Sequence, residues 1–184
     1  MKTATAARPM VRIGVVSALV VLGACGSSKP VDESFTFTSA AGRFTAEFPK
    51  KPDVGVRDAV TGGVKRKVTS ALASKGSDEF GVTFSDFPNS YLADGPAKVL
   101  EKVRDTVIGD VKATLVSSTE TTVGKSPALD VVANVPSGAT KGEYHAKFVI
   151  AGTRIYEVLV IRNDPKADDT LMRNFFDSFE LTGS

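Results

Sequence analysis

The sequence has one cysteine, one histidine and, after Cys25, no apolar run long enough to cross a bilayer. With a single cysteine, no disulfide can form within the chain, so a folded domain has to rely on its hydrophobic core. The sequence also lacks a glycine-rich phosphate loop, a His-Glu-x-x-His zinc motif, a Gly-x-Ser-x-Gly nucleophile elbow and an EF-hand loop. The sequence therefore contains none of these motifs for hydrolysis, nucleotide binding or metal binding.

The N-terminal residues predict a secretory signal. Lys2, Arg8 and Arg12 give a basic start without an acidic residue, and residues 13–24 are continuously apolar or small. As a helix this run would span about 18 Å, well short of the ~30 Å hydrocarbon core of a bilayer. A basic start followed by a short apolar run is typical of a signal peptide, so we expect residues 1–24 to be removed.

The cysteine follows this run directly. The junction Leu22-Gly23-Ala24-Cys25 resembles the lipobox of bacterial lipoproteins, in which the cysteine sulfur takes a diacylglycerol and becomes the mature N-terminus. The alternative is an ordinary secretory cleavage that leaves a free thiol. The resemblance predicts that Cys25 is the lipid attachment site and that its two acyl chains hold the protein at a membrane.

Residues 25–33 are predicted to form a flexible, lipid-anchored tether, because the segment GSSKPVDES (residues 26–34) is polar and contains Gly, Ser and Pro. Nine such residues have an r.m.s. reach of about 16 Å, so the folded part is expected to stay near the bilayer. We expect residues 34–184 to form a single domain outside the cytoplasm. The anchor would lie in the cell membrane, or in an outer membrane if the organism has one.

The overall charge gives no indication of nucleic-acid binding. The chain has 23 basic and 21 acidic residues, and 3 of the basic residues lie before Cys25, which leaves 20 against 21 and a net charge of about −1. The longest basic run, Lys65-Arg66-Lys67, is more simply a solvated strand edge than a binding patch.

Alternation of apolar and polar residues predicts mostly strands from Ser34 onward. Turn residues are expected at Gly62-Gly63 and at Gly152-Thr153. The segment RIYEVLVIR is apolar on both faces, so we place it in the centre of the sheet, covered by helices. The predicted strands cover residues 34–38, 43–48, 54–60, 64–74, 80–84, 113–123, 128–135, 144–151 and 154–162.

Two helices are predicted. The first begins at Asp94 as its cap, with Pro96 in its first turn, and stops near Gly109. The second opens at residues 163–165, with acidic residues 168–169 near its positive end rather than as a catalytic pair. The fold class is therefore α+β, an antiparallel-rich twisted sheet flanked by two main helices. Each helix has an apolar stripe for the core: Leu100, Val103 and Val107 in the first, and Leu171, Met172, Phe175 and Phe176 in the second.

Three groups of residues carry a resemblance to a known fold family. They are Phe37-x-Ser39-x-x-Gly42-x-Phe44-x-x-x-Phe48-Pro49-x-x-Pro52, Gly152-x-Arg154-x-Tyr156 and Phe176-Asp177-Ser178-Phe179-x-Leu181. They resemble bacterial exported proteins with the PsbP-like α/β/α sandwich, which include the LpqN-type actinobacterial lipoproteins. The resemblance covers nearly the whole mature chain and implies a binding or assembly module. We expect no cofactor, because the sequence contains no recognised cofactor-binding motif. Nearly all of the matched residues are apolar, Gly or Pro, which indicates core and turn positions.

Two single residues are candidates for chemistry. His145 lies on the strand face opposite Tyr144, Ala146 and Phe148, and a structural or solvent-facing role is the simpler interpretation. Glu157 stands in an otherwise apolar strand, where burial would raise its pKa. The simpler interpretation pairs Glu157 with a Lys or Arg on a neighbouring strand.

The loop after the strand of residues 80–84 carries three large side chains, Phe87, Tyr91 and Leu92. Pro88 and Asn89 favour an irregular path at the surface, where such residues are less common. They either fold back to seal the end of the first helix or stand out as contact residues for a partner.

Three functions are consistent with these features. The leading hypothesis is a membrane-tethered, non-enzymatic binding or assembly module of the cell envelope, with an envelope protein or an apolar ligand as partner. The second is a carrier of lipid or another apolar ligand in a cavity between sheet and helix. The third, a hydrolase built from residues scattered along the sequence, would need a cleft that holds His145 or Glu157 beside a Ser or Asp.

Overall fold

The computed structural model describes residues 34–61, 64–137, 140–163 and 169–183. The predicted signal peptide, the tether with Cys25, Gly62-Gly63 and most of the predicted start of the second helix lie outside these residues. Twelve main elements and one short 3-10 helix (Asn89–Leu92) follow one another along the chain. They are β1 (Phe35–Ser39), β2 (Phe44–Phe48), β3 (Asp53–Thr61), β4 (Val64–Lys75), β5 (Asp78–Asp86), α1 (Pro96–Asp110), β6 (Thr114–Val123), β7 (Ser126–Ser137), β8 (Thr140–Ala151), β9 (Arg154–Arg162), α2 (Asp169–Asp177) and β10 (Glu180–Leu181).

The strands form two sheets in which every neighbouring pair is antiparallel. The large sheet has seven strands in the order β3-β4-β5-β9-β8-β7-β6, and the small sheet has the order β1-β2-β10. The strand β9 is the fourth of seven, so its predicted position in the centre of the sheet is confirmed. Its turn to β8 runs through Gly152, whose φ of 61° favours a residue without a Cβ.

The small sheet and α2 cover one face of the large sheet. Alternate residues of β9, among them Tyr156 and Val160, point into this layer, as does Phe80 of β5. The rings of Phe80 and Phe175 lie 5.5 Å apart, edge to face. Aromatic pairs in this geometry contribute beyond their buried area, so this core joins α2 to the sheet through ring contacts.

Helix α1 covers part of the other face, over β7 and β8. Its buried residues Val99, Leu100 and Val103 pack in one cluster with Tyr144 and Phe148 of β8. The layers are therefore α1, the large sheet, and the small sheet together with α2. None of the helices in the described part of the chain is both long and apolar enough to cross a membrane.

The structure differs from the sequence prediction at several element ends. Asp94 does not cap α1: the N-cap is Gly95, with a φ of 87° that suits glycine, and Asp94 lies instead 3.6 Å from Nζ of Lys102. Helix α1 continues one residue past Gly109, and β8 begins at Thr140 rather than at Tyr144. The short 3-10 helix and β10 were not predicted, because segments of four and two residues have no periodicity of their own.

Candidate functional site

A cleft of about 240 Å³ opens between α1 and the large sheet. Thr83 of β5 and Glu157 of β9 lie on its sheet side, and Asp110 lies on its helix side. Arg57 of β3 and Arg66 of β4 complete its charged lining. Four ionisable side chains therefore line one small cleft beside the core, and we take it as the candidate functional site.

Glu157 is held by two hydroxyl groups from the strands on either side of it. Tyr144 on β8 donates a hydrogen bond of 2.6 Å to Glu157 Oε1, and Thr83 on β5 donates one of 3.0 Å to Oε2. The expected Lys or Arg partner was wrong, because Glu157 pairs directly across the ladder with Thr83 on one side and Phe148 on the other. Arg57 acts on it only through space.

Burial raises the pKa of Glu157 above its usual value, as the sequence suggested, while the hydrogen bonds from Tyr144 and Thr83 and the charge of Arg57 oppose that rise. Burial also raises the pKa of Tyr144, and the adjacent carboxylate raises it further. The Tyr144 hydroxyl therefore keeps its proton at neutral pH and acts as a fixed donor. The pair is a satisfied polar network rather than an isolated buried charge.

Arg66 stands at the side of the cleft with part of its hydrogen-bonding capacity unused. Its Nε donates a bond of 2.8 Å to Ser85 Oγ, and its guanidinium carbon lies 4.4 Å from the ring centre of Phe87. Its Nη1 is buried without a hydrogen-bond partner among the described residues, and the same holds for the hydroxyl of Tyr91. Burial lowers the pKa of Arg66. The guanidinium is therefore held mainly by stacking and by one hydroxyl.

The loop that was predicted either to seal the core or to contact a partner lies beside Arg66. Phe87 is 5% exposed and packs in the cluster beneath α1, with its ring centre 4.5 Å from that of Tyr91. Tyr91 and Leu92 pack against the same cluster but are only partly buried. Phe87 thus seals the core, while contact of Tyr91 and Leu92 with a partner stays a prediction.

His145 lies outside the cleft. Its cross-strand neighbour is Val160, whose side chain belongs to the core on the other face of the sheet from Tyr144. Its Nε2 is 3.2 Å from Glu143 Oε2, and its side chain is partly exposed. Across the described ranges, no group of three or more His, Cys, Asp or Glu side chains could hold a metal ion. The structure thus brings Glu157 into the cleft and leaves His145 away from it.

The residues that carry the family resemblance meet at one corner of the fold. Arg154 donates two bonds of 2.7 Å to the carboxylate of Asp86 and one of 2.6 Å to the carbonyl of Ala41. Tyr156 donates a buried bond of 2.7 Å to the carbonyl of Gly42. These bonds fix the β1–β2 turn to the large sheet, so the motif residues have a structural role.

Comparison with known proteins identifies the fold. A scan against protein-family models finds no match, and a search of curated proteins finds none. The chain is similar to the solution structure of cyanobacterial PsbP (CyanoP) from Synechocystis sp. PCC 6803, with 16% sequence identity and a TM-score of 0.55. The similarity covers 87% of this chain and 98% of that chain. The fold is PsbP-like. This confirms the predicted α+β sandwich, and at this identity the likeness shows the fold alone.

Proposed function

We propose that this protein is an extracytoplasmic lipoprotein, anchored to the cell membrane through Cys25, that acts by binding rather than by catalysis. The Leu22-Gly23-Ala24-Cys25 junction supports the anchor, and the PsbP-like fold is consistent with a binding or assembly module. The resemblance to LpqN-type lipoproteins is part of this proposal.

One observation carries the choice of binding over catalysis: both oxygens of Glu157 already accept hydrogen bonds within the sheet, one from Tyr144 and one from Thr83. Tyr144 is kept protonated, and the Thr83 hydroxyl points its proton at the carboxylate. Ser85, the serine of the cleft, accepts its bond from Arg66 rather than giving its proton to a base. Nucleophilic catalysis needs a nucleophile that is hydrogen-bonded to a general base. The described lining of the cleft holds one hydroxyl bonded to a carboxylate, Thr83 with Glu157, and the other oxygen of that carboxylate is bound by Tyr144, so we interpret the pair as part of the polar network of the sheet.

The size and lining of the cleft favour a small polar ligand or a protein side chain over a lipid. Its volume of about 240 Å³ lies below the roughly 300–1,000 Å³ typical of ligand pockets. Arg57, Arg66, Asp110 and Glu157 line it. Acyl chains gain little from charged walls, so the alternative of an apolar carrier receives less support than a binding module.

The anchor is tested by mass spectrometry of the mature N-terminus and by membrane fractionation. We expect Cys25 to carry a diacylglycerol and to be the first residue, and the Cys25→Ser variant to move to the soluble fraction. Ser27→Ala is the matched control, because it changes the next segment and leaves the lipobox intact. An unmodified Cys25, or a retained signal peptide, contradicts the proposal.

The absence of catalysis is tested separately. The purified protein is screened against ester, peptide, glycoside and phosphate substrates, together with the variants Glu157→Gln and His145→Ala. Turnover that survives repurification and disappears in either variant contradicts a pure binding role. Cross-linking in native cells, followed by mass spectrometry, then identifies the neighbour that the module binds.

A further inference from the structure

The chain that leads to Cys25 enters the described domain at one particular end of the large sheet. Ser34, the first described residue, lines a surface cavity together with Lys75 and Arg162, which lie at the end of β4 and at the end of β9. We call this the tethered end. One row of cross-strand neighbours runs along it from β4 to β6: Ser74, Glu79, Ile161, Tyr144, Ala133 and Leu115.

This row ends at an exposed apolar segment. Val111 at the end of α1 is 39% exposed, and Leu115 and Val116 at the start of β6 are 41% and 59% exposed. The register between β6 and β7 shifts between Leu115 and Ser117, so Val116 has no partner across the ladder. Lys112 lies among them, exposed and with a φ of 53°. We call residues Val111, Lys112, Leu115 and Val116 the edge patch.

We propose that the edge patch lies on the membrane to which the chain is anchored, with its apolar side chains at the headgroup level and Lys112 at the lipid phosphates. This inference rests on the lipid anchor proposed above. Nine residues lead from Cys25 to Ser34, and a chain of this length spans at most about 32 Å. The tethered end therefore cannot be far from the bilayer.

The chemistry of the patch suits a lipid surface that carries negative charge. Apolar side chains gain from leaving water at the interface, and a lysine beside them can extend its ammonium to phosphate groups. A basic residue near an anionic membrane adds attraction that falls off within a Debye length. On the opposite edge strand, Val54 and Val56 are 58% and 62% exposed and lie nearer this end, whereas Val60 is 63% exposed and lies far from it. Its partner Lys65 is nine residues from Ser74 along β4, about 30 Å.

Val116 and Val60 give a matched pair of probes, because both are valines of similar exposure on edge strands. The lipidated, full mature protein is reconstituted into vesicles of phosphatidylcholine with phosphatidylglycerol, as Val116→Cys or as Val60→Cys. The lipid occupies the sulfur of Cys25, so an environment-sensitive dye reacts only with the introduced thiol. We expect a quencher carried by the lipids to reduce emission several-fold more at position 116 than at position 60. We also expect Lys112→Glu to weaken the quenching at position 116.

Each outcome bears on the proposal. Equal quenching, or none, at the two positions on protein that floats with the vesicles overturns the membrane contact and leaves the anchor intact. If the protein fails to float with the vesicles, both the lipid anchor and this inference are wrong. If the dye at position 116 is unquenched on vesicles but shielded in native cells, the patch contacts a partner protein and the proposal is wrong.

Discussion

Tyr144 on β8 donates a hydrogen bond of 2.6 Å to Glu157 on β9, in the partly buried space beneath α1. The phenol has a raised pKa because of its burial and the adjacent carboxylate, and the carboxyl group has a raised pKa because of its burial. Each group therefore favours its neutral form, and only hydrogen bonds and a distant arginine help Glu157 to ionise. This pair makes the stability of the domain depend on pH.

We expect stability to fall as the pH rises through the titration of Glu157. An acid whose pKa is higher in the folded state binds more protons when folded, so the free energy of unfolding decreases from the unfolded pKa up to the folded one. Glu157→Gln keeps an acceptor and a similar shape without the titration. Denaturant unfolding is measured from about pH 4 to about pH 8. The free energy of unfolding of Glu157→Gln should increasingly exceed that of the wild type as the pH rises. A profile of Glu157→Gln that runs parallel to that of the wild type contradicts the prediction.

Tyr144→Phe should destabilise the domain by about 1–3 kcal/mol, because it leaves one oxygen of a desolvated carboxylate without its donor. Since the lost bond opposes the rise in the pKa of Glu157, the pH-dependent loss of stability should also move to higher pH. The control is Tyr156→Phe, which removes a bond to the neutral carbonyl of Gly42. It should cost stability without moving the profile. Chemical denaturation of both variants at several pH values makes the comparison.

The sequence predicted most of the strands, the central place of β9 and both helices, because alternation and helical stripes are local signals. The sequence identified Glu157 as an unusual acidic residue in an apolar strand, but the predicted Lys or Arg partner was wrong. That partner depends on register: Thr83 faces Glu157 from a strand 74 residues away. The cleft was not predictable for the same reason, since its lining comes from five elements. The third strand of the small sheet, β10, has two residues and is too short to leave a pattern.

Arg154 should not be replaceable by lysine. Its two bonds to Asp86 and its bond to the Ala41 carbonyl need the planar guanidinium, and a lysine ammonium cannot reproduce that geometry. We expect Arg154→Lys to cost about 1 kcal/mol, since the exposure of Asp86 screens part of the interaction.

The same pair has an effect at acid pH. The bond from Arg154 lowers the pKa of Asp86, so its stabilisation is present above the usual pKa of an aspartate and is lost as the pH falls through the lowered value. The acid midpoint of unfolding should therefore shift upward in Arg154→Lys. An unchanged midpoint shows that the pair contributes nothing to acid stability.

Phe87→Ala should destabilise the domain by about 3–5 kcal/mol, because the ring is buried and supports both Tyr91 and the guanidinium of Arg66. Leu92→Ala, at a partly buried position of the same loop, should cost clearly less. Thermal and denaturant unfolding of the two variants give the comparison. A nearly unaltered melting temperature in the Phe87→Ala, Tyr91→Ala double variant, together with lost partner capture, would instead support the contact role.

Gly42→Ala and Gly55→Ala should have opposite effects, although both replace a strand or turn glycine with the same residue. A Cβ at Gly42 would lie 2.6 Å from ring atoms of the fully buried Phe44 and 2.7 Å from Ser39 Oγ, which itself accepts a bond from the Gly42 amide. The ring cannot move without disturbing the aromatic core, so we expect a loss of about 1–3 kcal/mol. A Cβ at Gly55 meets nothing within 4 Å, and its backbone is an extended strand.

Alanine at position 55 should therefore be neutral or stabilise by up to about 1 kcal/mol through the unfolded state. Denaturant unfolding of both variants, with far-UV circular dichroism to confirm the fold, measures the contrast. Equal effects at the two positions would show that close approach to Phe44 is not why glycine stands in this turn.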